Sequence, residues 1–367
     1  MKSARFGRLR ERVMVRRAML VGDDASLPTA PENRSDQSSS GVVSGGRSDG
    51  PPAPRRIPWW WLAKFTFGLA LLLYMLNYFD FHDVWQRIGS ANRLGITLAF
   101  GLAILQSICF SLRWRYLALC TGANLPTGQA IIGNFELSFF SQFVPSAVAA
   151  DVVRIIRAQR AGLTLTQSVT SIFLDRGVGL TTIVFLTPFL FLLAPGASSS
   201  EQLSWILWGL GFVFAVGLVA TYFIGPVLQM LFGNRRIVRF FVAVSEAFRT
   251  LVHSLPIASF AVLASIVGYA LIALALAAIA SATSSPIGVS AALLAVCLMT
   301  LSTFIPVSIG GWGVREGAAL LALGLFAVEP SDALAISILY GLVIAAVGVI
   351  GGIVWMFFGY TSRANLR

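Results

Sequence analysis

The chain is dominated by long apolar runs separated by short polar segments. Hydrophobic residues make up 56% of the sequence, and six runs approach or exceed the roughly 20 residues needed to cross a bilayer core. Each run is predicted to be a full transmembrane helix, and the pattern as a whole predicts an all-α polytopic membrane protein. The six predicted spans are Trp59–Phe79, Leu94–Leu112, Thr166–Leu193, Leu203–Ile224, Ile257–Ala280 and Ala333–Phe357.

Two further apolar stretches, near Gln129–Arg160 and Val289–Phe326, are interrupted by proline and small residues. Each contains one copy of a motif, SQFVPSAVAADVVR from Ser141 and STFIPVSIGGWGVR from Ser302, with five identities in fourteen positions. Pro and Gly break helices, and freed backbone groups are tolerated at membrane depth only where protein or water surrounds them. We therefore predict two re-entrant hairpins of half-helices, and the alternative is two full spans in each stretch.

Basic residues are distributed unevenly around these two stretches. Four arginines flank the first, whereas the segments that flank the second, 281–288 and 329–332, contain no Lys or Arg. Because cytoplasmic loops are enriched in Lys and Arg, the two hairpins are predicted to enter from opposite membrane faces. Residues 94–193 and 257–357 then form an inverted-topology repeat, each unit consisting of span, hairpin and span. The four arginines are Arg113, Arg115, Arg157 and Arg160.

Both termini are predicted to be cytoplasmic. Residues 1–57 are basic and rich in Ser, Gly and Pro, which predicts a disordered tail, with the alternative that Met1–Leu20 forms a helix on anionic lipid. The transmembrane domain is predicted at 58–362, and arginines at 235–249 mark a further inner loop. The net charge of +11 is thus assigned to topology, and no nucleic-acid partner is expected. Two arginines on the outer side are exceptions, Arg87 and Arg93.

Ionisable residues are scarce inside the apolar segments of the two repeat units. Each costs about 2.5–3.5 kcal/mol on insertion scales, so such residues are functional candidates. Glu136 is a candidate proton-coupling carboxylate if burial raises its pKa. The full set is Glu136, Asp151, Arg154, Asp175, Arg176, Arg315 and Glu316.

Arg154 and Arg315 occupy equivalent positions in the two motif copies, near the start of the second half-helix. A helix N-terminus with an added guanidinium is a site for a lipid phosphate. The alternative is that each arginine pairs with an acid: Arg154 with Asp151, and Arg315 with Glu316 or another helix. Glycines after the second proline would let the backbone approach a ligand closely, namely Gly310, Gly311 and Gly313.

Asp175 and Arg176 are adjacent on one predicted helix and cannot face each other. We expect them to have different partners, for example Asp175 with Arg315, and Arg176 with Glu136 or Glu316. Such a network could join the two repeats structurally or contact the substrate, and the sequence leaves both open.

Acidic residues after the first span support an alternative function. Asp80, His82 and Asp83 lie on the predicted outer side, where lipid-linked sugar transferases use acids as a base or metal ligand. The other interpretation is a polar cap on a helix end. The three cysteines and two histidines have no metal-site spacing, so neither a metal nor a cofactor is expected.

With these residues placed, the chain resembles the transmembrane region of lysylphosphatidylglycerol synthases and the wider flippase-like family, over roughly residues 60–360. The resemblance rests on the motifs Pro145…Asp151…Arg154, Asp175–Arg176–Gly177 and Pro306…Gly310–Gly311…Gly313…Arg315–Glu316. It implies translocation of anionic, aminoacylated or polyprenyl-linked lipids between leaflets. Two departures are Ala149 and Ala150, where the family has Gly-Gly, and the lack of a soluble synthetase domain after the last span.

These observations predict a lipid translocase of the inner (plasma) membrane, without enzymatic activity of its own. Its partners are expected to be a phospholipid or polyprenyl-phosphate lipid and, additionally, a separate lipid synthetase or glycosyltransferase. The alternatives are a polyprenyl-linked glycosyl or headgroup transferase and a non-transporting partner of a lipid-modifying enzyme. The predicted substrate site comprises Arg315, Arg154, Arg176, Asp175, Glu316, Asp151, Glu136, Gly310, Gly311, Gly313, Pro145 and Pro306.

Overall fold

The computed structural model describes Thr66 and residues 81–142, 147–193, 201–233, 235–303 and 311–360. Within these residues all regular structure is helical. Several predictions fall outside the described residues. They are the tail at 1–57, most of the span Trp59–Phe79, the end of the predicted cytoplasmic C-terminus at 361–367, and four residues of interest, Asp80, Pro145, Pro306 and Gly310.

Eleven α-helices occupy the described residues, together with a 3₁₀ turn at Leu119–Thr121. Five of them, 26 to 32 residues long, are long and apolar enough to cross a membrane. These five contain five of the six predicted spans, which are thereby confirmed as long apolar helices. The helices are α1 Phe81–Gly89, α2 Arg93–Ala118, α3 Thr127–Phe140, α4 Ala147–Arg160, α5 Leu165–Leu193, α6 Glu201–Phe232, α7 Arg236–His253, α8 Leu255–Ala282, α9 Val289–Ser302, α10 Val314–Gly324 and α11 Pro330–Tyr360.

The two interrupted stretches each form a pair of short helices. Helices α3, α4 and α9 have 14 residues and α10 has 11. At 1.5 Å per residue their lengths are about 16–21 Å, less than the roughly 30 Å of a bilayer core. Gly311 and Gly313 lead into α10 with φ of 79° and 86°, a conformation that favours glycine.

Helix packing relates the unit α2–α5 to the unit α8–α11. Helices α2 and α8 lie side by side and antiparallel, because Gly95 approaches Ala278 and Ala282 while Phe110 contacts Gly268. Helix α3 packs against α11, and its counterpart α9 packs against α5. The main hydrophobic core lies between these elements and is contributed by both units.

The connection predicted as an inner loop at 235–249 is almost entirely helical and forms most of α7, while its side of the membrane stays a prediction. Its apolar residues recur at helical spacing, and Val238, Val244 and Leu251 are buried where α7 packs against α5 and α6. The arginines of this segment were interpreted only as markers of a cytoplasmic connection, so the amphipathic pattern of its apolar residues was not recognised. The contact with α6 also satisfies a carbonyl that Pro226 leaves without its helical donor. That carbonyl belongs to Tyr222, and it accepts from Ser245 Oγ at 3.0 Å and Arg249 Nε at 2.8 Å.

Arg87 on α1 has acidic partners on and beside α11. It forms an ion pair with Asp332, and its Nη2 lies 3.0 Å from Glu329 Oε2. These acids balance the charge that made Arg87 an exception to the predicted topology. The contact also holds α1 against α11, where Val84 is buried.

Removing this pair is expected to loosen α1. In detergent-solubilised protein carrying Val84→Cys, we expect Asp332→Asn to raise the rate of maleimide labelling at position 84 several-fold. The ion pair is partly exposed, so its loss should cost only up to about 1 kcal/mol of global stability. Glu201→Gln, which neutralises an exposed acid at the start of α6, serves as control. Equal labelling in both backgrounds would show that the ion pair does not hold α1.

Candidate functional site

Five charged side chains form a continuous series of ion pairs between α2, α4 and α5, which we call the charge chain. In order of contact they are Arg113, Asp175, Arg154, Asp151 and Arg176. Arg113 Nε donates to Asp175 Oδ1 at 2.8 Å, and Arg154 Nη2 donates to Asp175 Oδ2 at 2.9 Å. Arg154 Nη1 donates to Asp151 Oδ1 at 3.3 Å. Arg176 Nε and Nη2 donate to Asp151 Oδ2 and Oδ1 at 2.9 and 3.1 Å.

Helical geometry explains how three helices bring these groups together. Asp151 and Arg154 are three residues apart on α4 and share one face of that helix. Asp175 and Arg176 are neighbours on α5 and point in different directions. Asp175 therefore reaches Arg113 and Arg154, while Arg176 reaches Asp151.

Aromatic rings and hydroxyl groups support the buried guanidiniums. The guanidinium carbon of Arg154 lies 4.1 Å from the centre of the Trp114 ring, and that of Arg113 lies 4.3 Å from the centre of the Phe110 ring. Such cation–π contacts are worth about 2 kcal/mol or more when desolvated. Arg113 Nη1 also donates to Ser265 Oγ on α8 at 3.0 Å, which ties the charge chain to the second unit.

The charge chain carries one more positive charge than negative, since three arginines face two aspartates. The side chains of Arg113, Asp175, Arg154 and Asp151 are almost fully buried, whereas that of Arg176 is 33% exposed. Arg154 Nε is buried without a hydrogen-bond partner. Arg176 Nη1 likewise has no partner among the described residues. Unused donor capacity and excess positive charge therefore coincide, and Arg176 is the member of the charge chain that solvent or a ligand can reach.

A separate buried pair joins α3 to α4. Both oxygens of Glu136 accept from Arg157, Oε2 from Nε at 3.1 Å and Oε1 from Nη2. Gln129 Oε1 lies 3.5 Å from Arg157 Nη1. Glu136 is thus already paired, and this pair holds the two short helices of the first unit together.

The second motif copy contains one buried ion pair. Arg315 donates to Glu316 Oε1 from Nε at 3.1 Å and from Nη2 at 2.6 Å, and its guanidinium lies 4.5 Å from the Trp312 ring centre. Glu316 Oε2 accepts from the Gly313 amide at 2.6 Å, which closes the N-terminus of α10. In the described part of the chain no hydrogen bond or ion pair connects Arg315 or Glu316 to the charge chain.

The predicted pairings can now be compared with the observed ones. The pairs Asp151–Arg154 and Arg315–Glu316 are confirmed. The pairing of Asp175 with Arg315 is wrong, because Arg113 and Arg154 occupy both oxygens of that carboxylate. The pairing of Arg176 with Glu136 or Glu316 is also wrong, since Arg176 binds Asp151.

Sequence reasoning missed Arg113 and Arg157, which it treated as cytoplasmic markers. Charge balance was the available signal. The predicted set contained four acids and three arginines, and a buried acid without a cation is costly. Arg113 lies just beyond the predicted span Leu94–Leu112 and Arg157 near the end of the first interrupted stretch, and the structure places both in the interior, each about 5% exposed.

Metal binding has no support in the part of the chain that the structure describes, where no group of three His, Cys, Asp or Glu side chains is arranged to hold an ion. A comparison with protein-family models matches residues 61–352 to the family described as the lysylphosphatidylglycerol synthase TM region. The match includes both motif copies and the whole charge chain, and it confirms the resemblance predicted from the motifs. A comparison with curated proteins finds no matching sequence.

Proposed function

The chain belongs to the family of the lysylphosphatidylglycerol synthase TM region, and from this premise we propose that it translocates a lipid with an anionic headgroup between membrane leaflets. The observation that carries the proposal is the charge chain, with its excess positive charge and its accessible end at Arg176. Arg binds phosphate through charge-assisted hydrogen bonds, and a lipid phosphodiester would balance the excess charge.

A charged side chain buried among membrane helices is costly unless an opposite charge or a ligand compensates it. Two aspartates compensate two of the three arginines, which leaves the third available for an external anion. In the proposed mechanism the headgroup phosphate binds Arg176 Nη1 and competes with Asp151 for the rest of that guanidinium. The acyl or prenyl tails remain in the surrounding lipid while the headgroup crosses.

We also propose that the two units are an inverted-topology repeat with re-entrant hairpins. The equivalent packing of α3 on α11 and α9 on α5, and the antiparallel contact of α2 with α8, support this arrangement. Helices α3, α4, α9 and α10 are individually too short to span a bilayer, which supports half-helices. In transporters, such broken elements frame a substrate site at the interface of the repeats.

The proposal includes a cellular setting. The protein is placed in the inner (plasma) membrane with both termini in the cytoplasm, consistent with the distribution of arginines. It acts on lipid made elsewhere, without catalysing a reaction itself. A separate lipid synthetase or glycosyltransferase would supply or consume the lipid that it moves.

Arg176→Gln tests the proposed contact. Loss of a charge-assisted hydrogen bond costs about 1.5–3 kcal/mol, so we expect headgroup translocation to fall about tenfold or more. The measurement is movement of a fluorescent phosphatidylglycerol between leaflets of vesicles reconstituted with purified protein. The matched control is Arg160→Gln, which removes the same charge from an exposed position at the end of α4. Equal rates in the two variants would contradict the assignment of Arg176, and no protein-dependent movement in the wild type would contradict lipid translocation.

A further inference from the structure

Every carboxylate oxygen of the four acids predicted for the site, Glu136, Asp151, Asp175 and Glu316, already accepts a hydrogen bond. Asp175 accepts from two arginines, and so does Asp151. Both oxygens of Glu136 are taken by Arg157. Those of Glu316 are taken by the neighbouring arginine and by a backbone amide. The site therefore offers no unoccupied carboxylate to a ligand.

The aromatic rings of the site are occupied as well. An ammonium group without a carboxylate can bind over an aromatic face. The ring of Trp114 is covered by Arg154, and the ring of Phe110 by Arg113. In the second motif copy Arg315 covers Trp312. Both usual means of binding a cationic headgroup are thus already used by the protein's own arginines.

Hydrogen-bond donors, by contrast, are in surplus. Arg154 Nε is buried and unpartnered, and Arg176 Nη1 has no partner within the described residues. The excess charge of the chain is positive. An ammonium brought to this position would meet like charge in a low-dielectric environment and would have to compete with the protein's own donors for every carboxylate oxygen of the site, whereas a phosphate would find unpartnered donors.

From these three observations we infer that the site selects lipids whose headgroup carries a phosphate and no ammonium group. Aminoacylated lipids, which add ammonium groups to phosphatidylglycerol, are rejected, and so is phosphatidylethanolamine. Two classes of lipid carry a phosphate without an ammonium group, the anionic glycerophospholipids and the polyprenyl phosphates. This inference rests on the proposed function and narrows it to one class of substrate.

The test compares the binding of four lipids to the purified full-length protein. The probes are phosphatidylglycerol, decaprenyl phosphate, phosphatidylethanolamine and lysyl-phosphatidylglycerol, each titrated into protein in neutral detergent and followed by native mass spectrometry. We expect at least one of the two amine-free lipids to bind about tenfold more tightly than both amine-containing lipids. The relative affinity of the protein for phosphatidylglycerol and decaprenyl phosphate shows which of the two lipid classes the site prefers. Equal or tighter binding of lysyl-phosphatidylglycerol than of both amine-free lipids overturns the inference.

Two further measurements separate this inference from the proposed function. Arg176→Gln is expected to reduce the preference for amine-free lipids to within about threefold, whereas Arg160→Gln should keep it. The wild-type ranking decides the question if Arg176→Gln does not fold. Vesicles containing each lipid in turn then report translocation. A retained binding preference without movement of any lipid overturns the proposed translocation and leaves the selectivity standing. Movement of all four lipids at equal rates overturns the selectivity and leaves translocation standing.

Discussion

Asp175→Asn is expected to lower the free energy of unfolding by about 3–5 kcal/mol, the cost of breaking a buried ion pair by removing one partner. Asp175 is the shared counter-ion of Arg113 and Arg154, and all three side chains are almost fully buried. An amide cannot compensate two guanidiniums, so the variant leaves the buried Arg113 without its carboxylate and Arg154 with only Asp151, which it shares with Arg176. The measurement is unfolding of purified protein in mixed micelles, followed by circular dichroism as denaturing detergent increases.

Two companion variants sharpen this experiment. Glu246→Gln removes an acid from the exposed face of α7 and should change stability by less than about 0.5 kcal/mol. Arg113→Met combined with Asp175→Asn removes the excess cation together with the acid and should recover part of the loss. If Asp175→Asn unfolds at the same detergent concentration as Glu246→Gln, the charge chain contributes little to stability.

The long helices of this fold could be predicted from the sequence because the length and apolar character of a run determine them. The apolar runs within α2, α5, α6, α8 and α11 are long enough to be assigned as helices, and each predicted run lies inside an observed helix that extends beyond it at one or both ends. The breaks between paired short helices were also predictable, because proline and glycine disrupt helices locally. These assignments use information within one segment and need no knowledge of its neighbours.

The partners of the charged residues were not predictable in the same way. Whether Arg154 meets Asp175 or another acid depends on the rotation of α4 and α5 about their axes, and whether Arg113 joins them depends on the position of α2 beside α5. Small residues on α8 help to set the position of α2. Gly268 and Ser265 let α8 approach α2, which brings Arg113 within reach of Ser265. Such contacts are properties of the assembled helices, and no single segment encodes them.

The same reasoning connects the charge chain to the two-unit architecture. Position 151 is aspartate in the first motif copy and its equivalent, position 312, is tryptophan in the second. Arg154 and Arg315 are retained in both copies, yet only the first lies in a network with excess charge. The two copies thus share residue types while differing in local backbone and in electrostatics. Arg315 is the second residue of α10, as predicted, but Arg154 is the eighth residue of α4, so its predicted place near the start of the second half-helix is wrong. Under the proposed function, the first copy binds the phosphate and the second supplies a neutral, closed ion pair.

Gly351→Ala is the second substitution with a large expected effect. A Cβ at Gly351 would overlap the carbonyl oxygen of Phe135, because α11 and α3 meet there backbone to backbone. A Cβ added at either neighbouring glycine would also lie close to α3, 3.1 Å from the Ser138 carbonyl oxygen at position 348 and 2.8 Å from the ring of Phe139 at position 352. Since a backbone atom cannot move aside as a side chain can, the helices must separate. We expect a loss of about 3 kcal/mol in the unfolding free energy, at the upper end of overpacking effects.

Gly217→Ala on α6 provides a matched control, because it adds the same methyl group to a long apolar helix where nothing lies within 4 Å. Alanine also has the higher helix propensity, so this variant should be unchanged or up to about 1 kcal/mol more stable. Separation of α3 from α11 should further disturb the Glu136–Arg157 pair that α3 shares with α4, and lower translocation along with stability. If Gly351→Ala and Gly217→Ala unfold alike, the close approach of α3 and α11 is wrong, and with it the pairing of helices that supports the inverted repeat.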